Sequence, residues 1–143
     1  MPRIKLLIAE DDLDDQLLYT SALEDIKANC EVSFANDGQE VLKLLDNGVK
    51  NNSFPDILLL DLNMPKIDGR GVLKAIKTSE YYAFIPVMIL STSMAEAEIK
   101  NAYASGASSY IIKPSSYEGL KAFFSNLLMF FSETSQLPQK VGR

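Results

Sequence analysis

The stretch Asp56-Ile57-Leu58-Leu59-Leu60-Asp61-Leu62-Asn63-Met64-Pro65-Lys66-Ile67-Asp68-Gly69 decides how this chain reads. It begins as an apolar run and reaches a carboxylate, Asp61, before a loop carrying a proline and a glycine. Four consecutive aliphatics fit a strand buried on both faces, as in a parallel sheet. Ligands of such sheets sit just beyond the C-terminal ends of the strands. Asp61 stands at such an end. Alone it could be a helix cap or a turn residue, so its meaning depends on what else reaches the same edge.

On either side of this stretch, strand and helix signals alternate. Residues 4–9 read as strand one and 14–28 as helix one, with acids in its first turn where the helix dipole favours them. Leu18, Ala22 and Ile26 recur at four-residue spacing, with Leu23 beside them. Residues 31–35 form a short strand two. Asn36-Asp37-Gly38 is turn chemistry that can also cap a helix. Val41, Leu42, Leu44 and Leu45 give helix two an apolar face, and Gly48 offers it a C-terminal stop. Strand three runs to Asp61, and helix three starts near Asp68-Gly69, carrying Val72, Leu73 and Ile76. Residues 78–85 read as a connection. Pro86 opens strand four, 87–90. Ser93 and Glu96 fit a capping box for helix four, and Gly106 closes that helix. Strand five is 109–112. Ser115 and Glu118 offer a second capping box, opening helix five. Five β-α units imply a doubly wound parallel sheet with helices on both faces.

Length and composition bound the rest. A chain of 143 residues suggests one domain, residues 1–131, with a polar, frayed tail over 132–143. Net charge is −5, which argues against non-specific nucleic-acid binding. There is no histidine, which excludes Ser-His-Asp and Cys-His catalysis and histidine-ligated metals. The chain also cannot carry a phosphohistidine, so any such donor is another protein. The single Cys30 excludes an intrachain disulfide and fits a reducing compartment. No signal peptide opens the chain, and no apolar stretch approaches the roughly 18 residues of a membrane span. The expected location is cytoplasmic.

Polar groups gather at four strand ends: Glu10-Asp11-Asp12 after strand one, Asp61 after strand three, Ser91-Thr92 after strand four and Lys113-Pro114 after strand five. Parallel strands share one C-terminal edge, so these groups share it too. Acids crowded there repel one another unless a cation is present, and hard oxygen ligands suit Mg²⁺. A metal-neutralised carboxylate can attack phosphorus and give an aspartyl phosphate. A lysine ammonium and a hydroxyl can stabilise the transferred group. Each piece has a plainer reading. The acidic triplet could be a solvated loop feeding helix one, Ser91 ordinary strand-end polarity, and Lys113-Pro114 a loop dipeptide. The ordered set is what favours phosphoryl transfer.

With these residues in view, the sequence resembles the receiver domain of two-component response regulators over about residues 4–131. The resemblance is carried by Ile8-Ala9-Glu10-Asp11-Asp12, by Asp61-Leu62-Asn63-Met64-Pro65 with Asp68-Gly69, by Leu90-Ser91-Thr92, and by Gly106-Ala107 leading to Tyr110-Ile111-Ile112-Lys113-Pro114. It implies a flavodoxin-like strand order 2-1-3-4-5. It also implies Asp61 as phosphoacceptor, and Asp11 and Asp61 as magnesium ligands joined by the backbone carbonyl of Asn63. Glu10 would hold metal-bound water. Ser91 matches the hydroxyl that bonds the phosphoryl oxygen, although Thr is the more usual residue there. Lys113 matches the lysine that pairs with the phosphoryl group, with Lys113-Pro114 cis. Tyr110 matches the aromatic switch, and the neighbouring Thr92 is the other hydroxyl of that element. Asn63 and Ser93 stand where the family tunes dephosphorylation rate.

The implied mechanism is a phosphorelay. A sensor histidine kinase or phosphotransfer protein supplies the phosphoryl group, and the surface of helix four, strand five and helix five changes in response. Such a protein catalyses only its own phosphorylation and dephosphorylation. No output domain is expected after helix five, so the expected output is contact with a downstream protein or a second copy. On helix five Leu120, Phe124, Leu127 and Phe131 form a core stripe. Phe123 and Phe130 lie roughly 100° off it, and Met129 adds apolar surface, which reads as a partner surface unless the tail covers it. The connection 78–85, the loop 47–55 and the Leu90-Ser91-Thr92-Ser93 spelling resemble the small receivers serving phytochrome-type kinases. Two rival classes remain: a receiver-like binding module that never turns over phosphate, and a phosphatase with Asp61 as nucleophile. The phosphatase lacks a second acid two residues on, where Asn63 stands.

Overall fold

The computed structural model describes residues 3–62 and 69–138. The elements run β1 (Ile4–Ala9), α1 (Leu13–Asp25), β2 (Cys30–Ala35), α2 (Gly38–Asn51), β3 (Ile57–Asp61), α3 (Gly69–Lys77), β4 (Val87–Ser91), α4 (Glu96–Ala104), β5 (Ser109–Ile112) and α5 (Tyr117–Met129). The strands form one parallel sheet in the order β2-β1-β3-β4-β5. β3 lies in the middle, and all of its residues are buried.

The two-residue period of a strand sends alternate side chains to opposite faces. Leu58 and Leu60 of β3, with Leu7, Val87 and Ile89, face Val41 and Leu45 of α2, Val72, Leu73 and Ile76 of α3, and Ala102 of α4. Ile57 and Leu59, with Leu6, Ile8, Met88 and Leu90, face Tyr19, Ala22 and Leu23 of α1 and Leu120, Phe124, Leu127 and Leu128 of α5. Two helices thus cover one face and three the other.

Several local expectations change, each for a physical reason. The buried stripe of α1 is Tyr19, Ala22, Leu23 and, partly, Ile26, while Leu18 is 47 % exposed. This is one helical face at i, i+3, i+4 and i+7, turned slightly from the expected one. The helix ends at Asp25, where the Ala28 amide donates to the Leu23 carbonyl (3.0 Å) and Lys27 takes φ 53°. Neither expected capping box forms. Ser93 Oγ accepts from the Ala95 amide (3.2 Å), and Ala95, which has no polar side chain to cap with, is the N-cap of α4. At α5 the cap is Ser116, whose Oγ accepts from the Gly119 amide at 3.0 Å, so Glu118 lies one turn position too early to answer it.

The C-terminal segment is packed rather than frayed through residue 138. α5 continues into a π-helical turn, Phe130–Thr134, and Leu137 is 2 % exposed in the cluster that includes Phe123 and Phe131. Burial of Leu137 contributes about 1.5–3 kcal/mol toward ordering this otherwise polar segment. There is no cis peptide among the described residues, so Lys113-Pro114 is trans rather than cis as expected. The trans form is the lower-energy one even before proline.

Gly48 is not the stop of α2. The helix runs on to Asn51, and Asn52 at φ 52°, ψ 44° takes the left-handed cap that asparagine tolerates. Gly48 is buried because the returning chain lies on it, and a Cβ there would run into the Ser53 carbonyl oxygen and the Phe54 ring. Helix propensity favours alanine over glycine by about 1 kcal/mol, whereas overpacking against backbone costs about 1–3 kcal/mol. Gly48→Ala is therefore expected to lower the thermal midpoint by a few degrees; an increase in a melting experiment would mean the 52–56 connection yields freely.

Candidate functional site

The edge formed by the C-terminal ends of β1, β3, β4 and β5 carries the polar side chains. At the end of β1, the Glu10 amide donates to the Ala35 carbonyl (3.0 Å), and its side chain turns inward, leaving the residue 3 % exposed. Glu10 Oε2 accepts from the Asp12 amide (3.3 Å), and Oε1 accepts from the Tyr19 hydroxyl (3.3 Å). Asp12 itself is the cap of α1, its Oδ1 accepting from the amides of Asp14 (2.8 Å) and Asp15 (3.2 Å). The triplet therefore divides. Asp12 serves the helix, Glu10 faces the site, and Asp11 between them is exposed.

Asp61, at the end of β3, is 8 % exposed. Lys113 Nζ donates to its Oδ2 at 2.7 Å and lies 3.6 Å from Glu10 Oε1. The lysine is aimed by backbone pairing, since its amide donates to the Ser91 carbonyl at 2.8 Å and so fastens the end of β5 to the end of β4. Gly69, the first residue of α3, passes close enough that a Cβ would lie 2.5 Å from the Asp61 carbonyl oxygen and 2.6 Å from Leu62 Cα. Asn63 lies outside the described residues, as do Met64, Pro65, Lys66 and Asp68.

Ser91 is 1 % exposed, and its Oγ accepts from the Ser93 amide at 3.1 Å, whereas Thr92 points to solvent. Tyr110 is half-buried and packs on the α2–α3–α4 cluster. Its hydroxyl donates to the Ser93 carbonyl at 2.9 Å, linking β5 to the β4–α4 connection. On α5, Phe123 is half-buried against Phe124, with ring centroids 5.1 Å apart, while Met129 and Phe130 are 56 % and 50 % exposed.

The charges explain the titration. Burial raises the Glu10 carboxyl above its usual range, Lys113 opposes this, and Asp61 adds to it. Burial would lower Lys113, but its hydrogen bond to Asp61 and the charges of Asp61 and Glu10 outweigh burial, and the net shift is upward. Glu10, Asp11 and Asp61 outnumber the lysine, so the edge has an excess of hard oxygen donors that fits a hard divalent cation. Among the described residues no three acids converge closely enough to enclose an ion.

Two contributors escape a reading of strand ends. Gln16 Nε2 donates to the Glu10 carbonyl (2.6 Å) and to Asn36 Oδ1 (2.9 Å), joining α1 to the ends of β1 and β2. Tyr19 sits in the core with its hydroxyl on Glu10. The available signal was its place on the buried stripe of α1, where a tyrosine needs a partner for its hydroxyl.

The fold and this edge have counterparts among known proteins. The model of the response regulator receiver domain matches residues 6–124. The probable methanogenesis regulatory protein FilR2 of Methanothrix harundinacea is 37 % identical over 119 residues, covering 81 % of this chain and 76 % of that protein. The response regulator Rcp1 of Synechocystis sp. is 32 % identical over 139 residues, 96 % of this chain and 94 % of Rcp1. The crystal structure of the phosphorylated cyanobacterial phytochrome response regulator RcpA superposes with a TM-score of 0.85 at 36 % identity, covering 95 % of this chain and 99 % of that one. The Mn²⁺-bound form of Rcp1 does so at 0.81 and 32 %, covering 94 % and 99 %. The resemblance to the small receivers of phytochrome systems holds at this level. With the strand order, the acid–lysine edge and a family match over most of its length, the chain belongs to the response regulator receiver domain family.

Proposed function

We propose that this receiver accepts a phosphoryl group on Asp61 from the phosphohistidine of a partner histidine kinase or phosphotransfer protein, with Mg²⁺ bound. The observation that carries this reading is the 2.7 Å contact of Lys113 Nζ with Asp61 Oδ2, made where Glu10 and Ser91 are also buried. The phosphorylated state of RcpA and the Mn²⁺-bound state of Rcp1 support it.

Bound Mg²⁺ would supply positive charge against the acids and the incoming phosphoryl oxygens. Asp11 and Asp61, with the Asn63 carbonyl, would hold it, and Glu10 would hold a water of its shell. An Asp61 carboxylate oxygen attacks phosphorus, the phosphorus–nitrogen bond to the donor histidine breaks, and the nitrogen leaves with the electron pair. Ser91 Oγ is already an acceptor for the Ser93 amide, so its own O–H is the group it gives to a phosphoryl oxygen. Lys113 pairs with another. Asn63 and Ser93 tune the later hydrolysis. The protein acts as a signalling module whose reactions are confined to Asp61, in the cytoplasm where the kinase has its nucleotide.

The response runs through the β4–α4 connection. Drawing Ser91 and Thr92 toward the phosphoryl group moves Ser93 and breaks its bond with the Tyr110 hydroxyl, which frees that ring to turn inward. α4 follows readily, since Ala102 is its one buried residue. The output is contact with a downstream protein or a second copy through α4, β5 and α5, including Phe123, Met129 and Phe130. A groove of about 720 Å³ lined by Met88, Ile111, Phe123, Leu127, Phe130 and Leu137 supports an apolar partner. Nucleic acid is disfavoured by the net charge of −5, and no helix among the described residues is long and apolar enough to cross a membrane.

Incubation with acetyl phosphate and Mg²⁺ should add one phosphate by intact mass, with none added to Asp61→Asn; labelling of that variant would remove Asp61 as the acceptor. Lys113→Ala should slow labelling about 100-fold, the usual loss for one electrostatic stabiliser. Glu10's folded-state titration lies above its ordinary value of 4.5, so the stability it contributes is present below that value and is lost as pH rises through the folded one. At neutral pH the buried charge is therefore a cost, and Glu10→Gln should raise the metal-free thermal midpoint while weakening Mg²⁺ binding. The gain should shrink as pH falls toward 4.5, and a pH-independent gain would point to packing instead.

A further inference from the structure

Tyr19 is a buried polar side chain for which the proposed chemistry has no use. It is 6 % exposed, and its hydroxyl donates to Glu10 Oε1 at 3.3 Å. Its ring meets Phe124 of α5 edge-on, with centroids 5.9 Å apart and planes at 76°, and Phe124 is fully buried. The hydroxyl therefore cannot swing away without disturbing the α1–α5 packing.

Glu10 would otherwise be poorly fixed, because a glutamate has more rotatable bonds than an aspartate and loses more side-chain freedom when held. Its carbonyl is tied by Gln16 and its Oε2 by the Asp12 amide. Oε1 is shared by the Tyr19 hydroxyl, a neutral donor, and by Lys113, which is farther away at 3.6 Å and already bonded to Asp61. Lys113 also has to engage the phosphoryl group, so it cannot be the permanent anchor of Oε1. Tyr19 can, because it approaches from the core side of the site.

We propose that Tyr19 is a positioning residue for this site: its hydroxyl, braced by Phe124, holds the Glu10 carboxylate in the orientation that binds the hydrated divalent cation. The inference rests on the function proposed above. Groups behind a metal's immediate ligands typically change metal affinity about 10–100-fold when removed, and a single long hydrogen bond belongs at the low end of that range.

The test is a double-mutant cycle of Tyr19→Phe with Glu10→Gln, since phenylalanine keeps the ring and removes only the hydroxyl. Mg²⁺ affinity is measured by calorimetry on the full chain, and acetyl phosphate labelling is followed against Mg²⁺ concentration. The expected result is about tenfold weaker Mg²⁺ binding in Tyr19→Phe, with the labelling rate restored at saturating Mg²⁺ and no further loss when Glu10→Gln is already present. Equal losses in both backgrounds, or no loss in either, would overturn the inference, as would a lowered maximal rate with unchanged half-saturation. Failure of the underlying reading looks different, because the unsubstituted protein would then show no Mg²⁺ titration and no label. The contact would in that case be judged by metal-free denaturant unfolding of the same four proteins, where zero coupling between the two positions refutes it.

Discussion

From the end of β5, Lys113 reaches over the end of β4 to Asp61 at the end of β3, and the arrangement of the whole edge depends on that 2.7 Å contact. A carboxylate this buried needs a cation, and the lysine lies on a different strand from either acid it faces. The pair can form only if three strands are in register. The backbone supplies that register through the Lys113 amide on the Ser91 carbonyl and the alignment of Asp61 with Leu90. A mixed charge cluster at the sheet edge thus becomes a consequence of parallel pairing.

The same edge carries a cost in stability. Glu10 and Asp61 are buried with like charge, and one lysine does not neutralise both. Such a cluster is tolerated because β3 and its neighbours bury enough aliphatic surface to hold the edge open. Ile57, Leu58, Leu59 and Leu60 are all fully buried. It also leaves the edge with more negative than positive charge, an imbalance that added positive charge would relieve.

Contacts lead away from the site on both faces of the sheet. On one face the Tyr110 hydroxyl leads from β5 to the β4–α4 connection, next to the weakly anchored α4. On the other, Tyr19 leads from Glu10 to Phe124, and Phe123 continues to the groove beside Leu137. Both routes pass through aromatic side chains with one polar end, which can report on a charge while packing as core.

The sequence determined the strands, their burial and the residue types at each strand end. The reason is that an aliphatic run such as Ile57–Asp61 has few ways to be buried, and parallel strands must share one edge. β1, from Ile4 to Ala9, and β5, from Ser109 to Ile112, could be delimited from local pattern alone. Only the tertiary structure decided which atoms meet. Asp12 caps α1 while Glu10 turns inward, a difference that depends on how the helix leaves the strand. Tyr19 reaches Glu10 because α1 is rotated away from the Leu18 face, and Gly48 lies within α2 because Ser53 and Phe54 fold back onto it. Leu137 holds down a segment whose composition is polar, because one apolar side chain found space beside Phe123 and Phe131. Such contacts depend on how whole elements are turned and packed against one another rather than on spacing within one element, so local periodicity carries no information about them.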